Sequence, residues 1–341
     1  MSTMKTIYFA LFVSIIFTAC NFFQKNTTEK KKKKNKDQQA IESLSAEIKS
    51  NSTNAELYYK RGLAYKASHQ DSLAFKDFQQ SALLDSTQAK YFSAVGELMF
   101  DHKDVTGSVP WFQKALSLNP EDEKAHLKMA KLFLYIQEYP KAFVEINTVL
   151  RGNVYNAEAY FLKGMCYKSM KDTNKAISSF QTAVQTNPKY ADAHMQLALI
   201  YEGKKNPLAL NYFENAYKAD TFNMEPLYGA AMFWQNQNNF AEAKKVFKRI
   251  VLLDRSYPKS YYNTGWMLMQ EDSVDKAIRQ FDIAIQNKPD YADAYYNRGI
   301  CKEILKTYKE ALEDYNQALS FNAEYKPYIE AKKRVSSKIQ P

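Results

Sequence analysis

Residues 157–190 read AEAYFLKGMCYKSMKDTNKAISSFQTAVQTNPKY, and this stretch decides the fold. Within each half the large residues recur at three- and four-residue spacing, the period of a helix. Counting from Ala157, an aromatic stands fourth (Tyr160), glycine eighth (Gly164) and an aromatic eleventh (Tyr167). Ala176, Phe180 and Ala183 follow in the second half, with Pro188 near the end. These residue types predict two antiparallel helices. Gly164 and Ala176 are small where the helices must approach closely. Tyr160 and Phe180 fill the space between neighbouring pairs. Pro188 cannot continue a helix and ends the unit.

The same order returns every 34 residues, and a period of that size marks a repeat architecture. Eight units follow one another: 55–88, 89–122, 123–156, 157–190, 191–223, 224–257, 258–291 and 292–325. The last carries Tyr295, Gly299, Ala311, Tyr315 and Ala318, and the second carries Phe92, Gly96, Phe112, Ala115 and Pro120. No such unit buries its apolar face alone, so stacking must do it. Three units depart from the pattern. The third has His126 for the aromatic, Ile146 and Val149 in its second helix, and Val154 in place of the terminal proline. The fifth is one residue short near Pro207, and the second has Ser108 for the small alanine. Irregular helix angles are expected there.

This pattern resembles the tetratricopeptide repeat family over residues 55–325. The resemblance implies an all-α fold, a right-handed superhelical solenoid of helix-turn-helix repeats. Scarce glycine (9) and proline (10) fit that class better than an all-β fold, which uses turn residues heavily. Ala40 and Leu44 lie one period before Ala74 and Phe78, so residues 38–54 are expected to hold a second helix that caps the N-terminal end. Residues 326–341 read as a polar solvating helix at the other end.

The chain begins MSTMKTIYFALFVSIIFTAC, a single Lys before a short apolar run and then small residues. That is the layout of an export signal, and the run is too short to span a bilayer comfortably. Phe17-Thr18-Ala19-Cys20 resembles the bacterial lipobox, with Phe17 where leucine is usual. The resemblance implies a signal peptide at 1–19, lipidation of Cys20, and a lipid-anchored protein of the bacterial cell envelope. Asn21 rather than aspartate after the Cys favours the outer membrane; the leaflet stays open. An ordinary signal peptide or an uncleaved anchor are the other readings. Residues 20–37 then form a tether in which Lys30, Lys31, Lys32, Lys33 and Lys34 repel one another. The tether is a spacer first, and a patch for anionic headgroups second.

The net charge of +10 belongs to the ends. Lys5, residues 25–37 and residues 326–341 carry all of it, so residues 38–325 balance 34 basic against 34 acidic side chains. A nucleic-acid groove places basic charge on the folded surface, which makes nucleic acid an unlikely partner. Catalytic and metal motifs are missing too. His69, His102, His126 and His194 stand in four different units, with no zinc-binding pair or Cys/His cluster. Cys166 and Cys301 both stand tenth in their units, in a slot that elsewhere holds Ala64, Leu98, Leu132, Ile200, Phe233 and Met267, and so read as small core hydrophobes. No phosphate loop, nucleophile elbow or dinucleotide fingerprint occurs. No enzyme activity, cofactor or metal is expected.

The family resemblance implies that the first helices line a concave groove, with the fifth and ninth residues of each unit pointing into it. That row includes Tyr59, Phe161, Met165, Met195, Tyr228, Met232, Tyr262, Trp266, Tyr296 and Ile300. The lysines and asparagines with which eukaryotic co-chaperone members grip a carboxylate are missing from it. An exposed apolar stripe marks an interaction surface, so partner protein segments of an envelope complex are expected there, chiefly against units four to eight. Simple packing of the same residues is the competing reading. Three functions follow: a non-enzymatic protein-interaction scaffold of the envelope, a ligand- or glycan-binding lipoprotein for uptake or the cell wall, and a chaperone or enzyme with activity hidden in the groove. Repeat lipoproteins of the uptake kind carry large loop insertions, and these units follow one another with none.

Overall fold

The computed structural model describes residues 36–339, and every regular element among them is a helix. Cys20 and the tether lysines Lys30 to Lys34 lie outside the described residues. Helix α1 covers 36–50. Four hairpin pairs follow: α2 (Ala55–Ala67) with α3 (Asp71–Leu84), α4 (Ala89–Asp101) with α5 (Val105–Leu118), α6 (Glu123–Tyr135) with α7 (Tyr139–Gly152), and α8 (Ala157–Ser169) with α9 (Thr173–Thr186). Four more complete the array: α10 (Ala191–Gly203) with α11 (Leu208–Ala219), α12 (Glu225–Asn236) with α13 (Phe240–Leu253), α14 (Pro258–Gln270) with α15 (Val274–Asn287), and α16 (Ala292–Ile304) with α17 (Tyr308–Phe321). Helix α18 (Lys326–Ile339) ends the described chain. The chain divides into two compact units, residues 1–166 and 167–341. Among the described residues no helix is long and apolar enough to cross a membrane.

Each repeat places one large side chain in the core. Phe78, Phe112, Phe180, Phe247, Phe281 and Tyr315, twenty-fourth in their units, with Phe213 in the shortened fifth unit and Ile146 in the third, are each at most 1% exposed. Burial of a side chain this size stabilises by roughly 1.5–3 kcal/mol. In the first, second, seventh and eighth units the ring lies on its partner helix at a glycine; Ala130, Ala198 and Ala231 hold that slot in the third, fifth and sixth. A Cβ added to Gly62 would come 2.6 Å from the ring of Phe78, and one added to Gly299 would come 2.7 Å from Tyr315. Both distances are inside van der Waals contact. Ser108 fits the alanine slot without opening its pair. It is fully buried, and its hydroxyl donates to the Val105 carbonyl at 2.6 Å.

The turn inside each hairpin is equally regular. Residue fifteen of every unit takes positive φ, between 51° (Lys205) and 66° (Lys103), and none of the eight is glycine. Its N–H donates to the carbonyl three residues back, as from Lys103 to Phe100 at 2.9 Å. The next N–H reaches five back, as from Asp104 to Met99 at 3.0 Å. This pair of bonds satisfies carbonyls that a helix end leaves open. Asp104, Asp172 and Asn239 then cap the second helix with their side chains.

The fifth unit absorbs its deletion just after this turn. Asn206 N–H still reaches the Tyr201 carbonyl at 2.9 Å, so the turn is intact. The first turn of α11 is tightened instead, with Ala209 and Leu210 donating three residues back to Asn206 and Pro207, both at 3.0 Å. In the next unit Ala231 holds the small slot, and a Cβ added to Gly229 would lie 2.4 Å from Phe213 of the preceding unit. The terminal helices cover 36–50, where 38–54 was expected, and 326–339, up to the last described residue. Ile41 and Ile48 of α1 and Tyr328, Ala331 and Val335 of α18 are buried.

Substitutions at the glycine slot and at the turn residue test this scheme. Gly299→Ala should cost about 1–3 kcal/mol through overpacking against Tyr315, whereas Gly152→Ala, which meets nothing within 4 Å, should be neutral or better. Lys103→Gly should raise stability by about 0.5 kcal/mol, since a left-handed residue with a Cβ is strained. Thermal midpoints followed by circular dichroism check both.

Candidate functional site

Second, fifth, ninth and twelfth residues of a helix are spaced three, four and three apart, so they form one stripe. On the first helices this stripe faces open space. In the first compact unit, Tyr59, Leu63 and Lys66 of α2 and Lys90, Ser93 and Glu97 of α4 line a cleft of about 310 Å³ with Phe78 and Phe112 beneath them. The stripe of α10 contributes Leu199 and Glu202 to a second cleft of about 390 Å³, which Lys205 and, from α12, Phe233 and Asn236 also line.

The ten groove residues named from the sequence fall into two sets. Tyr59, Phe161 and Met165 belong to the first compact unit; Met195, Tyr228, Met232, Tyr262, Trp266, Tyr296 and Ile300 belong to the second. All ten are half-buried. Their inner sides touch the core: Tyr59 stands 5.9 Å from Phe78, Tyr228 6.0 Å from Phe247, Tyr262 5.9 Å from Phe281 and Tyr296 5.8 Å from Tyr315, between ring centroids. Packing therefore fixes each ring from behind and leaves part of it on the stripe. Leu127, at the same place in the third unit, is fully taken into the core.

In the second unit a further layer of tyrosines completes the face. Tyr257 lies 6.1 Å from Tyr228, Tyr291 lies 4.9 Å from Tyr262, and Tyr328 lies 4.9 Å from Tyr296. Tyr257 donates to Glu225 at 2.8 Å and Tyr328 donates to Asp293 at 2.5 Å. Burial, then the neighbouring Glu225, raises the Tyr257 phenol well above its ordinary value. Asn263 donates to the Tyr228 oxygen at 3.3 Å, and Asn297 to the Tyr262 oxygen at 2.9 Å. Burial, helped by Asp293, pushes the Tyr262 phenol up to about 12, so its proton is held at neutral pH. Sequence reasoning missed this layer. Part of the signal was present: Tyr257 and Tyr291 close their units as the last residue, as Tyr190 and Tyr325 do, whereas Tyr328 lies in α18.

The histidines and cysteines have structural places. His126 fills the aromatic slot with both ring nitrogens engaged, Nδ1 at 2.5 Å from Glu145 and Nε2 at 2.9 Å from the Pro120 carbonyl. His194 is buried against Tyr212, with Nε2 at 3.0 Å from the Pro188 carbonyl. Cys166 and Cys301 are free and fully buried, and burial raises both thiols, to about 11 and about 12. Among the described residues no three His, Cys, Asp or Glu side chains are grouped to hold a metal ion.

Glu303, twelfth in the last repeat, anchors α18. It accepts from Arg334 at 2.8 Å, Lys338 at 2.8 Å and the Tyr315 hydroxyl at 3.0 Å. Hydrogen bonds from Arg334 first, with Lys338 and Tyr315, outweigh burial and hold its carboxyl down at about 2.

Comparison with known proteins bears on the same repeats. A family model described as Tetratricopeptide repeat matches residues 157–190, and another of that description matches 235–289 and 270–327. The chain is 21% identical over 266 residues to the DnaJ homolog subfamily C member 7 homolog of Dictyostelium discoideum, covering 77% of this chain and 44% of that protein. It is 23% identical over 256 residues to Hsp70-Hsp90 organizing protein 3 of Arabidopsis thaliana, covering 72% of this chain and 44% of that protein. The chain thus spans less than half the length of these two relatives. A solved structure, the C-terminal part of a TPR repeat-containing protein from Cytophaga hutchinsonii, matches with a TM-score of 0.57 and 16% identity over 69% of this chain and 97% of that one. That likeness concerns the fold.

The Glu303 cluster predicts a pH dependence. A depressed carboxyl stabilises the folded state fully above its unfolded value, near 4.5, and loses that contribution as pH falls towards about 2. Arg334 and Lys338 are 49% and 41% exposed, so screening leaves about 1–2 kcal/mol. Glu303→Gln should lower the thermal midpoint at pH 7, and the gap to the parent protein should narrow steadily below about pH 4.

Proposed function

Its repeats are tetratricopeptide repeats, and from that premise we propose that the chain is a non-enzymatic scaffold of a bacterial cell envelope, anchored through lipidated Cys20 and holding segments of partner proteins on the faces of its first helices. One observation carries the reading: the stripe keeps aromatic and aliphatic side chains on an open face while the core fixes them from behind. Large rings held in this way offer contact area at little further cost in rotamer entropy. The relative from Arabidopsis thaliana is named as an organizing protein for two others, which accords with a holding role. The units follow one another without an inserted domain among the described residues, which favours the scaffold over a ligand-uptake protein with elaborated loops.

A photo-crosslinking residue in place of Trp266, in the full chain in cells, should give one dominant protein adduct. The same residue at Leu252, 72% exposed on a second helix, should give none. Equal labelling at both would remove the groove reading. With the crosslinker kept at 266, Tyr228→Ala with Tyr262→Ala should abolish the adduct at full helix content; loss of the fold would return these residues to the core. For the anchor, Cys20→Ser or globomycin should block maturation, and unchanged processing would count against lipidation.

A further inference from the structure

We propose that the first-helix face of the second compact unit takes a basic segment in extended conformation, a partner peptide carrying several lysine or arginine residues. The proposal rests on the groove reading and adds the chemistry of what is held. Its ground is the charge on the stripe. In the second compact unit the second, fifth, ninth and twelfth residues of the first helices, together with the matching residues of α18, carry six acids: Asp192, Glu202, Glu225, Asp293, Glu303 and Glu330. Only Lys168, Lys259 and Arg334 oppose them. The neutrality of residues 38–325 conceals this, because the same stripe in the first unit does not share the excess of acid. There Lys66, Lys90, Lys124 and Lys131 face Glu56, Glu97 and Glu158.

Two of the six acids are already paired: Glu225 is taken by Lys259 at 2.7 Å, and Glu303 by Arg334 and Lys338. Asp192, Glu202, Asp293 and Glu330 form no ion pair among the described residues. Glu202 lies in the 390 Å³ cleft with Leu199, Phe233 and Lys205, the last not in ion-pair contact with it, and burial alone raises its carboxyl. A cation brought to such a group recovers charge stabilisation that burial has withheld.

Between these carboxylates stand tyrosine rings, and the protein itself shows what they accept. Lys259 places its ammonium 4.9 Å from the centroid of Tyr228, and Lys288 sits 5.1 Å from that of Tyr291. Ring faces attract cations in this way. The phenols supply the second element. Tyr228 and Tyr262 accept from Asn263 and Asn297, and neither phenol proton has an acceptor among the described residues. Two O–H donors one repeat apart suit the carbonyls of an extended chain, which are unpaired in that conformation.

The test uses the full chain and a fluorescein-labelled peptide of four Lys-Pro-Thr triplets. Matched peptides carry serine or glutamate in place of each lysine, and binding is read by anisotropy at low and physiological salt. The lysine peptide should bind about tenfold or more tighter than the serine one, and the glutamate one weakest. The preference should shrink with salt as screening shortens. Asp192→Asn with Glu202→Gln and Asp293→Asn should remove most of the preference at unchanged helix content. Equal affinity for all three peptides, or an unaltered preference in the triple variant, overturns the proposal. If the serine peptide binds and Trp266→Ala abolishes that binding, the groove reading survives and the charge inference alone falls. If no peptide binds, both fall.

Discussion

A ring lying on bare backbone is the contact on which this structure depends. Tyr315 can sit over α16 only because residue 299 has no Cβ, and Phe78 sits over α2 for the same reason at residue 62. The close approach buries the ring, and the buried ring sets the distance between the two helices of a hairpin. Each hairpin then offers its outer faces to the next, so one local contact repeated along the chain gives one continuous packing scheme within each compact unit. Interiors this dense tolerate little change in volume, which is why the slot holds glycine or alanine in every unit.

The same contact positions the candidate site. Once the ring is seated, the fifth residue of the first helix packs its inner edge against it, as Tyr262 does on Phe281. Its outer edge stays on the stripe. The face is thus the outward side of the core, and its residues serve both. Packing and binding were competing readings of this row, and the geometry makes them compatible: a side chain held from behind is a better contact than a free one, because less rotamer freedom remains to be lost. Tyr257 and Tyr291, last in their units, and Tyr328 of α18 add to this by bracing neighbouring rings, and Tyr257 and Tyr328 tie down Glu225 and Asp293.

Irregular units show how far the scheme bends. A deleted residue in the fifth unit leaves the hairpin turn untouched and tightens the start of α11. His126 replaces an aromatic in the third unit, and its ring is held by Glu145 and the Pro120 carbonyl instead of by apolar contact. Ile146 replaces the ring and is equally buried.

The repeat, its eight units, the helical class and both end helices were legible in the order of residues, because each depends on spacing along one chain and on whether a residue is large, small or a helix breaker. The core places of Cys166, Cys301 and Phe180 were legible for the same reason. Four things were not. The left-handed turn residue has no glycine to mark it; its φ is set by the bonds that close the two helices on each other. The contact of Gly229 with Phe213 crosses a unit boundary, which the pattern within one repeat does not show. The tyrosine layer recurs in the sequence, but only packing reveals that it meets the fifth-position rings. The charge of the face is a property of which side chains share a side, and a sum along the chain cancels it. Periodicity reports what each residue does within its own hairpin. The contacts between hairpins join residues about 30 to 35 positions apart, such as Tyr228 with Asn263 or Asp293 with Tyr328, and only the folded chain brings them together.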